Sequence, residues 1–165
     1  MPSSVQPAVH SYYSQRLRLN YVTWGDPSKP PLLLQHGMRD HCRSWDWVAQ
    51  RFCRDWYVIA PDLRGHGDSD WAVGGDYSML GFVYDLAELI RQLGLAPLTI
   101  VGHSLGGNVT LRYTGIYPEN VRKLVVIEGL GPSPKMLAEE ESRGVAARLQ
   151  GWIEDRRRTA IKPPR

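Results

Sequence analysis

The sequence between residues 98 and 109 most strongly limits how this chain can fold. An apolar run there leads directly into a serine flanked by glycines and then into a helix-compatible stretch. Gly102 lies two residues before Ser104, and Gly106 lies two residues after it. A serine at so sharp a strand-to-helix turn takes strained backbone angles, and the glycines relieve crowding between strand and helix. The segment therefore predicts a buried strand, a tight turn that exposes Ser104, and a helix.

This turn also suits Ser104 to nucleophilic chemistry. A helix that begins at Ser104 adds positive dipole where an oxyanion would form, and the N–H of Leu105 would be one oxyanion donor. Neighbouring side chains on a strand point to opposite faces, so we expect the His103 ring to aim away from Ser104. The alternative is a tight turn that merely requires small residues, but the adjoining strand and helix favour catalysis.

Apolar strands alternate with amphipathic helices along the rest of the chain. Strands are predicted over residues 17–24, 32–35, 57–60, 98–102 and 121–127, and helices over residues 45–52, 78–93 and 106–117. This alternation is typical of βαβ units, and the continuous apolar character of the central strands indicates burial on both faces. We predict an α/β fold with a doubly wound, mostly parallel sheet over residues 1–132. Residues 133–165, helical over 136–158, are predicted to begin a helical cap.

Charge and composition argue against several other classes of protein. The net charge is +3, and the excess lies in residues 133–165, which hold 8 basic and 5 acidic residues. No nucleic-acid motif accompanies this charge, so a solvated helix face is favoured and no nucleic-acid partner is expected. No apolar run approaches the roughly 18 residues of a membrane span, and no secretory signal is visible. Cys42 and Cys53 fit neither a zinc knuckle nor a redox pair, so we expect reduced thiols, no metal site and a cytoplasmic location.

Two more glycine-containing loops follow predicted strands. His36-Gly37-Met38 ends the strand at 32–35, and in an α/β architecture it offers a second oxyanion donor, the N–H of Met38. His36 itself is interpreted as a structural histidine bonded to loop backbone. Residues 62–69 follow the next strand, and Asp62 and Arg64 there can bond loop backbone. We interpret this second loop as scaffolding.

Together these motifs resemble those of the α/β-hydrolase family, in the branch with a serine nucleophile. The similarity covers about residues 15–132, in family order and with family-like spacing, and it extends weakly into a cap-like helix. It implies the α/β-hydrolase sheet, a nucleophile at Ser104, a small-molecule substrate, and no metal or organic cofactor. The matching segments are His36-Gly37, residues 62–69, Gly102-His103-Ser104-Leu105-Gly106-Gly107 and residues 117–125.

The catalytic partners of Ser104 are harder to place. In this family an acid and then a histidine follow the nucleophile along the chain, but none of the five histidines here follows Ser104. His36 and His66 lie on loops at the same end of the sheet, yet neither matches the family position of the base. Glu128 is the candidate acid, because some relatives place theirs just past this strand; the alternative is a structural strand-end glutamate. The resemblance also implies further strands, so we expect this chain to be an incomplete hydrolase. We expect the catalytic base to lie beyond Arg165, and the acid to lie there too if Glu128 is not the acid.

Three functions stay open at this point. The first is a serine hydrolase that acts on a small ester or related acyl compound through an acyl-enzyme on Ser104, impaired in this short chain. The second is a non-catalytic pseudo-hydrolase that binds a small ligand. The third is an assembly in which another chain supplies the missing strands and histidine. An open apolar edge at residues 121–127 also predicts self-association. A serine argues against the dehalogenase and epoxide-hydrolase branches, which use an aspartate nucleophile.

Overall fold

The strands of this chain form one mixed sheet in the computed structural model, which describes residues 5–131 and 133–159. The strands run across the sheet in the order β1-β2-β4-β3-β5-β6. The last four of these are parallel to one another, and β2 pairs antiparallel with both β1 and β4. The predicted α/β fold with a mostly parallel sheet is confirmed. The strands are β1 (Ala8–Ser14), β2 (Leu17–Trp24), β3 (Pro31–Gln35), β4 (Tyr57–Pro61), β5 (Leu98–His103) and β6 (Val121–Ile127).

Helices cover the central strands on both faces. On one face, Leu33 and Ile100 belong to an apolar cluster shared with α2 (Met79–Leu93) and α3 (Leu105–Ile116). On the other face, Leu34 belongs to a cluster shared with α1 (Asp46–Phe52), which a 3-10 turn at Cys42–Trp45 precedes. A strand covered on both sides must be apolar almost throughout. That requirement explains why the sequence alone was enough to predict these strands.

The ends of α2 follow the predicted capping pattern. The Ser78 hydroxyl oxygen accepts a hydrogen bond from the Gly81 N–H at 3.1 Å, which satisfies one of the free donors of the first turn. The helix ends at Gly94, whose φ of 61° is left-handed. A residue with a Cβ would be strained in that conformation. The helix boundaries predicted from Ser78 and Gly94 are confirmed.

Two elements differ from the sequence-based prediction. Strand β1 was not predicted, because it is mostly exposed and joins β2 through Gln15 and Arg16, which both take positive φ without being glycine. The stretch predicted to be helical over residues 136–158 is helical, but it is divided into α4 (Pro134–Ser142) and α5 (Val145–Thr159), a break that was not predicted. Gly144 lies at the break, and glycine disfavours a helix interior by about 1 kcal/mol relative to alanine. The described residues from 131 onward form a compact unit of their own.

Strand β6 lies at an edge of the sheet. It pairs with β5 on one side, and in the described part of the chain no strand pairs with its other side. Val125 and Ile127 are 48% and 46% exposed. Along residues 5–131 and 133–159, no helix is both long and apolar enough to cross a membrane.

Candidate active site

Ser104 occupies a strained turn between β5 and α3. Its φ of 53° and ψ of −118° lie outside the helical and extended regions. A residue with a side chain rarely takes such a conformation. The Ser104 N–H donates to the Ile127 carbonyl at 3.0 Å, and the Ser104 carbonyl accepts from the Asn108 N–H at 3.1 Å. The turn is therefore held from β6 on one side and from α3 on the other. Strain that the surrounding structure maintains is typical of functional positions.

The two flanking glycines are required by close approach of the backbone. A Cβ on Gly106 would lie 2.3 Å from the His36 carbonyl oxygen, and a Cβ on Gly102 would lie 2.7 Å from the Gly106 carbonyl oxygen. Real side chains do not tolerate such distances to backbone atoms. The strand, the helix and the loop after β3 can therefore meet at Ser104 only because these positions lack side chains.

The loop after β3 passes directly beside Ser104. A Cβ placed on Gly37 would lie 3.0 Å from the Ser104 Cβ and 3.2 Å from the His103 Nδ1. In the described part of the chain, neither the Met38 N–H nor the Leu105 N–H has a hydrogen-bond acceptor. Met38 follows Gly37 in the loop that passes Ser104, and Leu105 begins α3 directly after Ser104. The positive end of a helix dipole and unpaired N–H groups are what an oxyanion needs.

His36 is a fixed structural residue rather than a base. Its Nε2 must accept, because its partner at 3.0 Å is the Leu63 N–H, and its Nδ1 then donates to the Gly37 carbonyl at 2.7 Å. The side chain is buried, and this burial lowers the pKa of His36 despite the opposing effects of the Gly37 bond and of Asp62. A neutral ring with both nitrogens occupied has no lone pair for the Ser104 proton. His36 instead ties the loop beside Ser104 to the loop after β4.

Asp62 organises that second loop. Its carboxylate accepts from the Cys42 N–H at 2.6 Å, from the Asn20 side-chain amide at 2.8 Å and from the Asp68 N–H at 3.0 Å. The Asp62 side chain is buried, so these donors replace the water that it loses. The carboxylate is fully engaged in holding residues 62–69, as the scaffold interpretation predicts.

Sequence reasoning missed the partner of Arg64. The buried guanidinium donates to the two carboxylate oxygens of Asp85 at 2.6 and 2.7 Å, and it also donates to the Gly81 carbonyl. Asp85 lies on α2 and accepts a bond from the Ser14 hydroxyl at 2.5 Å. An aspartate between Phe82, Val83 and Leu86 on an apolar helix face was the available signal, because such a position needs a cationic partner.

The backbone of Glu128 lies at the Ser104 turn. Its carbonyl oxygen would lie 2.7 Å from a Cβ on Gly107, and Gly129 comes so close to the Ser104 carbonyl that a side chain there is excluded. The Glu128 side chain is exposed, and no hydrogen bond to it is present among the described residues. Its φ of 60° resembles the φ of 60° at Arg39 and 53° at Ser104. The three residues follow the carboxyl ends of β6, β3 and β5. Three strained turns therefore lie at the end of the sheet where these parallel strands finish.

No histidine is hydrogen-bonded to Ser104 among the described residues. His66 bonds the Arg64 carbonyl through Nδ1 at 3.0 Å, and its ring centre lies 5.5 Å from that of His36. His10 bonds Thr23, and His41 accepts from the Arg43 N–H at the start of a 3-10 turn. Within residues 5–131 and 133–159, no group of three or more His, Cys, Asp or Glu side chains could hold a metal ion.

Known proteins share both this sequence pattern and this sheet. A family model described as alpha/beta hydrolase fold matches residues 30–165. Human epoxide hydrolase 4 is 33% identical over 124 residues, which are 74% of this chain and 34% of that protein. The 3-hydroxybutyrate-oligomer hydrolase of Cupriavidus necator is 35% identical over 117 residues, 70% of this chain and 40% of that protein. The chain therefore spans about a third of the length of the curated relatives it matches.

Solved structures also share the fold of this chain. A thioesterase domain from the curacin biosynthetic pathway superposes with a TM-score of 0.80 at 24% identity, over 96% of this chain and 56% of that one. The sheet order, the strained serine turn after β5 and the match over residues 30–165 all agree. On these grounds, the chain belongs to the α/β-hydrolase family.

Proposed function

We propose that this protein is a serine hydrolase that acts on a small ester or related acyl compound through Ser104. The observation that carries the proposal is the strained Ser104 turn with the free N–H groups of Met38 and Leu105 beside it. The free Leu105 N–H belongs to the first turn of α3, where the helix dipole adds to its ability to stabilise an oxyanion.

The proposed reaction proceeds in two steps. The Ser104 Oγ attacks the carbonyl carbon, and the Met38 and Leu105 N–H groups stabilise the negative charge that develops on the carbonyl oxygen. The bond to the leaving alcohol breaks, the alcohol takes up the proton that the Ser104 hydroxyl gives up, and an acyl-enzyme ester remains on Ser104. Water then attacks this ester, which releases the acid and restores the hydroxyl.

Both steps need a proton acceptor, and the five histidines of this chain are poorly placed to be one. They all precede Ser104, and none is hydrogen-bonded to it among the described residues. General-base catalysis contributes about 10²–10⁴-fold to such reactions. We therefore expect slow turnover by these 165 residues, and we expect an external base to accelerate it. The family order places the histidine that would replace this external base after the nucleophile.

Base rescue tests this proposal. Hydrolysis of p-nitrophenyl acetate by the 165-residue chain and by Ser104→Ala would be measured with increasing imidazole, and the Ser104→Ala rate would be subtracted at each concentration. The proposal expects a Ser104-dependent rate that rises with imidazole, together with an acetyl group found on Ser104 by mass spectrometry. Equal rates in both proteins and no acetylated Ser104 at any imidazole concentration would overturn it.

A non-catalytic ligand-binding protein is the second candidate. It is favoured by the exposed, unbonded Glu128 carboxylate and by the absence of any histidine hydrogen-bonded to Ser104 in the described residues. This candidate expects saturable binding of a small ester without turnover, and equal affinity in Ser104→Ala. Ser104-dependent acyl transfer in the rescue experiment would exclude it.

The proposed substrate class rests on the serine nucleophile and its two N–H donors. The relatives named above include both an epoxide hydrolase and a hydrolase of 3-hydroxybutyrate oligomers. A serine nucleophile with two free N–H donors favours a carbonyl substrate, because those donors stabilise charge on a carbonyl oxygen. We therefore expect faster Ser104-dependent reaction with a short-chain aryl ester than with styrene oxide.

A further inference from the structure

A cavity lies at the opposite end of the sheet from Ser104. It has a volume of about 400 Å³, within the range of small-molecule pockets. Residues at the amino ends of three parallel strands line it: Pro31 of β3, Tyr57 of β4 and Arg122 of β6. Strand β5 leads from this end of the sheet to Ser104, and its six residues span about 20 Å. The cavity is therefore separate from the proposed catalytic centre.

An irregularity in the pairing of β6 places Arg122 at the cavity. Two adjacent residues of β5 pair with Val121 and Lys123, so Arg122 is an extra residue on β6. An extra residue of this kind bends the strand and re-aims a side chain. The Arg122 Nε donates to the Pro97 carbonyl at 3.2 Å, and Pro97 also lines the cavity. This bond fixes the charged end of Arg122 at the cavity wall.

Three side chains bring unused hydrogen-bond donors to the cavity. In the described part of the chain, the two terminal nitrogens of Arg122 bond no acceptor, and the Tyr57 hydroxyl makes no hydrogen bond. The Tyr57 side chain is only partly buried, and its oxygen is accessible to solvent. The Lys29 ammonium donates to the Arg54 carbonyl and has two further N–H bonds. A ligand in the cavity can therefore reach donors from all three residues.

The cavity carries a positive charge. No carboxylate lines it, and neither Lys29 nor Arg122 forms an ion pair within the described residues. The pKa of nearby Asp26 is lowered mainly by hydrogen bonds from Ser28 and only slightly by Lys29. The Asp26 carboxylate is exposed and lies outside the lining, so solvent screens it from a ligand. Two cations without a counter-charge favour an anionic ligand.

The rest of the wall is mainly apolar. Pro31, Leu95 and Pro97 contribute hydrocarbon surface beside the charged groups. A lone inorganic anion would leave most of a cavity of about 400 Å³ filled with water. An organic anion can use both parts of the wall, with its charge between Lys29 and Arg122 and its apolar part on the prolines and the leucine.

We propose that this cavity binds a small organic phosphate monoester. A phosphate monoester carries about two negative charges near pH 7, which match the two cations. Arginine and lysine are both common phosphate ligands, and the Tyr57 hydroxyl can donate to a third phosphate oxygen. The proposal goes beyond the proposed hydrolase function and does not rest on the catalytic role of Ser104.

Titration with phenyl phosphate at about pH 7.5 tests the proposal. Amide chemical shifts would be followed by NMR in the 165-residue chain. We expect saturable shifts at Tyr57, Leu95 and Arg122 and none at Leu105. Affinity should fall as salt is added, because the cations are partly exposed. Benzoate, which carries one charge, and inorganic phosphate, which lacks the ring, should each bind more weakly than phenyl phosphate.

Two variants test the assigned residues. Arg122→Gln should weaken binding about tenfold, the lower end of the range for a hydrogen bond to a charged group, because Arg122 is exposed. Lys123→Gln is the matched control: it removes the same charge from the next residue of β6, which does not line the cavity, and it should change binding little. Tyr57→Phe keeps the ring and should weaken binding about threefold to tenfold.

A thermal melt confirms that each variant is folded. Ser104→Ala should bind phenyl phosphate unchanged, so failure here and failure of the catalytic proposal are distinguishable. No saturable shifts in the unaltered chain, equal binding by Arg122→Gln and Lys123→Gln, or loss of binding in Ser104→Ala would each overturn the proposal. Benzoate or inorganic phosphate binding as tightly as phenyl phosphate would overturn the assigned ligand class.

Discussion

Replacing Arg64 by methionine removes the cation at the centre of a buried polar cluster. The Arg64 guanidinium joins the loop after β4 to α2 through two bonds to Asp85, at 2.6 and 2.7 Å. It also reaches Gln15 at 2.8 Å, next to the β1–β2 turn. Methionine matches the aliphatic stem of arginine and carries no charge, so the variant keeps the packing of the stem while it removes the ion pair.

The expected loss follows from what remains buried. The side chains of Arg64 and Asp85 are 1% and 4% exposed, so water cannot replace the missing guanidinium. Only the Ser14 hydroxyl, at 2.5 Å, would still donate a side-chain hydrogen bond to the Asp85 carboxylate. Removing one partner of a buried pair costs about 3–5 kcal/mol, because the other charge is left uncompensated. Against a total stability of about 5–15 kcal/mol, Arg64→Met should greatly lower the free energy of unfolding.

Urea unfolding followed by circular dichroism measures this effect. The double variant Arg64→Met with Asp85→Leu should recover most of the loss, because it leaves no buried charge. Arg91→Met is the matched control: its ion pair with Glu88 is exposed, so the urea midpoint should change little. A loss below about 1 kcal/mol for Arg64→Met would refute the reasoning that this pair is desolvated and uncompensated once broken.

Three further predictions concern His36, the Ser104 turn and β6. Burial lowers the pKa of His36 in the folded state below the usual 6.5, so the unfolded chain binds more protons in that range. Stability should therefore fall as pH drops through about 6.5 towards the folded-state pKa, and His36→Gln should flatten this dependence in urea midpoints measured at several pH values. Gly106→Ala should destabilise the fold by about 1–3 kcal/mol or more and remove Ser104 acylation, because the new Cβ would lie 2.3 Å from a backbone oxygen. Gly115→Ala is the control: its Cβ meets nothing within 4 Å, so it should stabilise α3 by about 0.5–1 kcal/mol. Equal melting points of the two variants would contradict this. The predicted self-association through β6 should appear as concentration-dependent sedimentation that Val125→Lys reduces, because a lysine blocks edge pairing; a concentration-independent monomer would contradict it.

The strands that could be predicted from sequence are the ones whose environment is uniform. Parallel strands covered on both faces are apolar at every position, and α2 is defined by its cap at Ser78 and its end at Gly94. Strand β1 escaped prediction because its side chains mostly face solvent and its turn uses Gln15 and Arg16 at positive φ. The break near Gly144 was not predicted either, because one glycine weakens a helix only slightly and the residues around it still favour a helix.

The sequence by itself determined the turn at Ser104, because the requirement for it is local. A strand, a sharp turn and a helix follow one another within 12 residues, and a Cβ on Gly102 would meet the Gly106 carbonyl oxygen of the same segment. Only the tertiary structure decided what surrounds that turn. The loop at Gly37 reaches Ser104 from 67 positions away along the chain, and Arg64 finds Asp85 across 21 residues. No periodicity in a sequence encodes such pairings. They arise when the sheet brings the loops after separate strands, and the helices packed on it, close together.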